Sequence, residues 1–112
     1  MNFEEFKTFF PKRLKDLREE KGIKAQTLSR EIGMSRAYVR SLEDEGAMPS
    51  LKALFEIFDS LDLEPVEFFD KENRHPNAFK KILAIVNSLD GKRLDLFVAM
   101  GELLAELEER KQ

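Results

Sequence analysis

Apolar residues recur along nearly the whole chain at spacings of three and four, the period of a helix that buries one face. No stretch alternates with the two-residue period of a half-buried strand. The pattern predicts an all-α chain, with helices over about residues 3–21, 25–32, 36–45, 51–61, 65–69, 77–89 and 91–110. Pro11 falls early in the first of these, and a proline in mid-helix removes a backbone hydrogen bond, so residues 3–9 are expected to form a separate helical turn or an N-terminal arm. Phe3, Phe6 and Phe10 make a stripe at spacings of three and four with acids between them, which reads as core or dimer contact more readily than as a platform for stacking bases.

The densest signal is residues 25–45, AQTLSREIGMSRAYVRSLEDE, where two short helical patterns meet at Gly33. Leu28 and Ile32 lie four apart on one face, and Met34, Val39 and Leu42 supply the next inward positions. Gly33 suits the left-handed conformation that ends a helix, and Ser35 can cap the one that follows. Ser29 is small where two steeply crossing helices must approach each other. This spacing fits a helix-turn-helix, which makes duplex DNA the first candidate ligand.

On these residues the chain resembles the lambda-repressor-like helix-turn-helix regulators, the family of phage repressor and Cro proteins. The likeness runs upstream into FPKRLKDLREEKGIK, which resembles the family's first helix and turn, and downstream through Pro49, Ser50 and LKALFEIFDSLDLEPVEFF, which resemble its fourth and fifth helices; it covers roughly residues 10–69. The resemblance implies a five-helix DNA-binding domain over residues 1–70, and the apolar spacing beyond it predicts a C-terminal helical hairpin over residues 71–112. It also implies that the second motif helix enters the major groove and presents Ser35, Arg36, Ala37, Arg40 and Ser41 to base edges. Arg36 and Arg40 are four apart, and either guanidinium matches guanine O6 and N7; Ala37 suits a thymine methyl. Lys24, Gln26, Tyr38, Lys12 and Arg13 are the expected phosphate contacts, with Tyr38 equally suited to packing. The chain departs from the family pattern at Ala25, where a glutamine is usual, and at Glu43-Asp44-Glu45, which sets carboxylates near a region that commonly approaches the DNA backbone.

The formal net charge of -3 conceals a division along the chain. Residues 12–40 hold nine basic and four acidic side chains, whereas residues 41–70 hold Lys52 against nine acids. A protein that meets phosphate with one face needs that division, because the local field outweighs the total. Cysteine is absent, which excludes disulfides, thiolate metal sites and thiol nucleophiles. The acidic start MNFEEFKTFF and the lack of a membrane-length apolar run point to a cytoplasmic protein with no membrane partner.

Residues 70–76, DKENRHP, are the one composition break and read as a linker. Beyond it, Phe79, Ile82, Leu83, Ile85 and Val86 form one apolar face, and Leu94, Leu96, Phe97, Met100, Leu103, Leu104 and Leu107 another, joined through Leu89-Asp90-Gly91. Such a hairpin either dimerises or folds back on its own domain. Chemistry has no foothold: His75 lies alone in the linker, and no phosphate loop, metal-ligand spacing or nucleophile arrangement occurs, so neither an enzyme nor a cofactor is expected. The sequence therefore reads as a transcription regulator, a homodimeric repressor binding double-stranded DNA. The alternative class is a protein-interaction module, antitoxin-like or partner-binding, on the same fold with weak or no DNA binding.

Overall fold

The computed structural model describes residues 1–110, and among them the secondary structure is helical throughout: α1 (Phe3–Glu20), α2 (Ala25–Glu31), α3 (Tyr38–Asp44), α4 (Leu51–Ser60), α5 (Pro65–Phe69), α6 (Pro76–Ser88) and α7 (Gly91–Arg110). Two compact units result, Met1–Asn77 and a second that begins at Ala78.

Helix α1 is one continuous element, with Pro11 inside it and Asn2 accepting a 2.8 Å hydrogen bond from the Glu5 amide at its start. The separate turn or arm expected for residues 3–9 does not form. A proline there costs about 3 kcal/mol in an isolated helix. Here both sides of it are anchored to one core: Phe6 stacks on Phe10 at 5.1 Å, Phe9 meets Phe68 edge-on at 5.9 Å, and Leu14 and Leu17 are buried one and two turns on. The phenylalanine stripe is graded, since Phe10 is fully buried, Phe6 half-buried and Phe3 62% exposed.

The core of the first unit gathers Leu14, Leu28, Val39, Leu42, Ile57, Phe58, Leu61 and Phe68, one or more from each of α1 to α5 and the turn after α4. Met34, expected to point inward, is 38% exposed, because it lies in the extended link between α2 and α3. Gly33 adopts φ +73°, and the Met34 amide donates back to the Ser29 carbonyl, which closes α2. Ser50 caps α4 by accepting from the Ala53 amide at 3.1 Å.

Two arginines tie this unit together. Arg18 is bonded to Glu43 through two 2.8 Å contacts and donates a third bond to the Ile23 carbonyl, joining α1 to α3 and to the turn before α2. Its hydrogen bonds to Glu43, opposed by burial, hold the guanidinium above the ordinary arginine range. Arg13 donates Nε to the Phe68 carbonyl at 2.7 Å and a terminal nitrogen to the carbonyls of Glu67, Asp70 and Asn73 at 2.7–3.0 Å. The Glu67 and Phe68 carbonyls lie in the last turn of α5, where a helix leaves its acceptors open, and the Asp70 carbonyl accepts from the Asn73 amide at 3.1 Å as well. Residues 70–75, read from composition as a linker, are therefore bound to α1, and His75 adds a 3.0 Å contact to Glu20.

In the second unit, Asp90 caps α7 by accepting from the Arg93 amide at 3.0 Å. Val86, Leu89, Leu94 and Phe97 are half-buried, while Phe79, Ile82, Leu83, Ile85, Leu96, Met100, Leu103, Leu104 and Leu107 stay between 45% and 67% exposed.

Candidate nucleic-acid interface

The helix-turn-helix is built on a single hydroxyl. Ser29 Oγ donates to the Ala25 carbonyl at 2.9 Å within α2 and accepts from the Val39 amide at 3.0 Å in the first turn of α3. A serine of 0% exposure thus satisfies one of the amides that a helix start leaves open and fixes the crossing of the two helices. Its small size was legible in the sequence; its bond to a residue ten positions on was not.

The second motif helix begins later than its pattern suggests. Residues 35–37 form a turn closed by the Tyr38 amide bonding the Ser35 carbonyl at 3.0 Å, and α3 starts at Tyr38 with no side-chain cap. Ser35 is therefore not the cap of that helix, because Ser29 has taken the role from outside the segment. Ser35, Arg36, Ala37 and Arg40 are exposed on this turn and helix. Ser41 is half-buried, and its hydroxyl donates to the Tyr38 carbonyl, so its side chain already has a partner within α3. Tyr38 is half-buried against the core, and burial with the Glu56 carboxylate raises its phenol above the usual range, which keeps the hydroxyl protonated.

Lys24 and Gln26 stand exposed at the first turn of α2, the former as its cap residue. Lys12 and Arg13 lie elsewhere. Both line an open cleft of about 960 Å³ with Phe9, Lys71 and Arg74, and no residue of α2 or α3 borders it. Arg13 is 8% exposed and its donors are engaged with four carbonyls, so the expected phosphate contact is replaced by a structural one. Burial lowers its pKa, partly offset by Asp70, Glu20 and Asp16.

Electrostatically the α2–α3 surface is cleaner than its sequence. Glu43 is only 3% exposed at its side chain and paired to Arg18, which leaves Asp44 and Glu45 as the acids that stand in solvent behind the helix. Lys24, Arg30, Arg36 and Arg40 have no ion-pair partner among the described residues. Four unpaired cations beside an exposed helix start form the kind of surface that phosphate and guanine edges complement.

A helix-turn-helix fold with unpaired cations on its motif, together with the family match over residues 14–68, supports a DNA-binding transcription regulator. Residues 14–68 match the model of the family described as Helix-turn-helix, the stretch in which the lambda-repressor-like resemblance is read. Among solved structures, a chain of the SinR protein/SinI protein complex is similar over 86% of this chain and 97% of its own, with a TM-score of 0.53 and 21% identity, a likeness of fold. No curated protein sequence matches significantly. No helix among the described residues is long and apolar enough to cross a membrane.

Proposed function

We propose that the protein is a sequence-specific repressor that binds duplex DNA as a homodimer. The observation that carries this reading is the state of the arginines: Arg13 and Arg18 are held by partners inside the fold, while Arg36 and Arg40 are exposed and unpaired on the motif. Arg36 and Arg40 would read guanines, Ala37 a thymine methyl and Ser35 a neighbouring edge or phosphate, with Ser41 reaching a base only by giving up its bond to Tyr38. Lys24 and Gln26 would position the domain on phosphate. A dimer places two such faces on a pseudo-palindrome with half-sites ~34 Å apart, and occupancy of that site excludes other proteins from the same duplex.

Selection of bound sequences from random duplexes tests the reading directly, followed by titration of variants. Arg40→Ala should cost ~1–3 kcal/mol at the selected site and relax one base position, whereas Lys24→Ala should weaken all duplexes alike and lower the salt slope by about one. If both variants bind like the parent, the docking face is misassigned.

The apolar faces of α6 and α7 support the dimer, and they equally support a different protein as partner, as in the solved complex that the fold resembles. Light scattering of the full chain alone decides between them. A monomer at tens of micromolar would favour the partner-binding reading.

A further inference from the structure

The first unit carries a cleft that the helix-turn-helix does not border. It is an open hollow of about 960 Å³, lined only by α1 and by residues 71–75. That volume falls within the roughly 300–1,000 Å³ of small-molecule sites. Arg13 lines it although only 8% exposed. Nε and Nη2 of this guanidinium are taken by four backbone carbonyls, whereas Nη1 has no hydrogen-bond partner among the described residues. No buried side-chain nitrogen or oxygen among those residues lacks a partner, so Nη1 is open to solvent, and the cleft is where Arg13 meets it. A charged donor fixed by its other bonds and left facing a hollow is preorganised for an anion.

The bonds that fix Arg13 also assemble its surroundings. Two of its acceptors, the Asp70 and Asn73 carbonyls, belong to the turn that carries Lys71 and Arg74, which brings both cations to the side of α1 that holds Lys12. Lys12, Lys71 and Arg74 are exposed and have no ion-pair partner among the described residues. The Lys71 ammonium lies 5.8 Å from the centre of the half-buried Phe9 ring, which gives the cleft an apolar wall. Of the acids that line it, Glu20 is bonded to His75 at 3.0 Å and Glu19 lies 4.0 Å from Arg18, which leaves Asp16. Burial lowers the Arg13 pKa in spite of Asp70, Glu20 and Asp16, so the nearby carboxylates do not offset the loss of water around its charge. A dianion with an apolar body matches this balance of charge and surface.

We propose that the cleft binds a small phosphate monoester, with its phosphate on Arg13 Nη1 among Lys12, Lys71 and Arg74 and its apolar body against Phe9. A phosphate offers three acceptor oxygens and close to two charges, where a carboxylate offers two oxygens and one. Since Lys71 and Arg74 ride on the turn that Arg13 ties to α1, occupancy draws residues 70–75 more firmly onto that helix. The site is separate from the basic face of α2 and α3, so it stands independently of the DNA-binding reading.

The probe is phenyl phosphate, titrated into the full chain by calorimetry beside inorganic phosphate and benzoate. Phenyl phosphate should bind below millimolar, about tenfold more tightly than either of the others, and more weakly as salt rises. Lys71→Ala with Arg74→Ala, both on the surface, should weaken it at least ~tenfold, and Lys12→Ala should weaken it less. Arg36→Ala with Arg40→Ala on the motif should change nothing, which separates this site from attraction of phosphate by the DNA-binding face. On binding, the Arg13 side-chain nitrogen resonances and the amides of residues 8–16 and 70–75 should shift, and amide exchange over 70–75 should slow. Absence of saturable binding, inorganic phosphate or benzoate binding as tightly as phenyl phosphate, or loss caused by the motif variant instead of the cleft variants would each overturn the proposal.

Discussion

The two units of this protein contain similar kinds of side chain and dispose of them in opposite ways. In the first, leucines and phenylalanines from five helices converge until Phe10, Leu14, Leu28, Leu42 and Phe68 lose all contact with solvent, and a buried Ser29, Arg13 and Arg18 find their hydrogen bonds inside. In the second, α7 has no buried residue and most of the apolar positions of α6 stay near half exposure. Two helices have too little surface facing each other to close a core, whereas five helices crossing around Phe58 and Val39 enclose one. The contrast teaches that periodicity measures the need for burial and not its fulfilment. The first unit meets that need within one chain, and the second leaves it open to association.

Substitutions can break or sharpen this contrast, beginning with those of largest effect. Arg18→Ala strands the Glu43 carboxylate, 3% exposed, without its cation. Loss of one partner from a buried pair costs ~3–5 kcal/mol, so urea denaturation should show much of the first unit's stability gone. Leu28→Ala, at 0% exposure, should cost ~2–5 kcal/mol by leaving a cavity, while Leu104→Ala, at 67% exposure, should fall within about 0.5 kcal/mol in dilute solution. If the two leucines prove equally costly at low concentration, the contrast between the units fails.

Arg13→Met removes the donor shared by four carbonyls at the end of α5 and should destabilise by ~2 kcal/mol. Its signature is local: amide exchange should accelerate over residues 70–75 well before the rest of the unit opens. Ser29→Ala should cost ~1–2 kcal/mol, since the Val39 amide loses its acceptor inside the core. Because that bond sets the crossing of α2 and α3, DNA affinity should fall further than thermal stability does. A stability loss with unchanged affinity would show the crossing to be held by packing alone.

Local determinants account for most of what the chain discloses unaided. The seven helices appear close to their expected places because three- and four-residue spacing, Gly33 with its positive φ, Ser50 before α4 and Asp90 before α7 all act within a turn of where they stand. The charge division is likewise written in the order of residues. Errors arose where the deciding partner lies far along the chain. Pro11 should interrupt α1 by its own chemistry, and the helix continues only because Phe68 and Phe69, near residue 70, hold the turn ahead of it.

The same distance separates one arginine from another. Arg13 and Arg36 are alike in a sequence and sit in the same basic segment, yet Arg13 meets carbonyls 54 to 60 residues away and Arg36 meets solvent. Glu43 looks like the first of three repelling acids until Arg18, 25 residues earlier, takes it inside. Sequence by itself determined the helical class, the motif and the sign of charge on each segment, since these follow from neighbours within a few residues. Tertiary structure alone decided which charges remain for a ligand and which apolar faces remain for a partner, because both are what is left after distant side chains have paired.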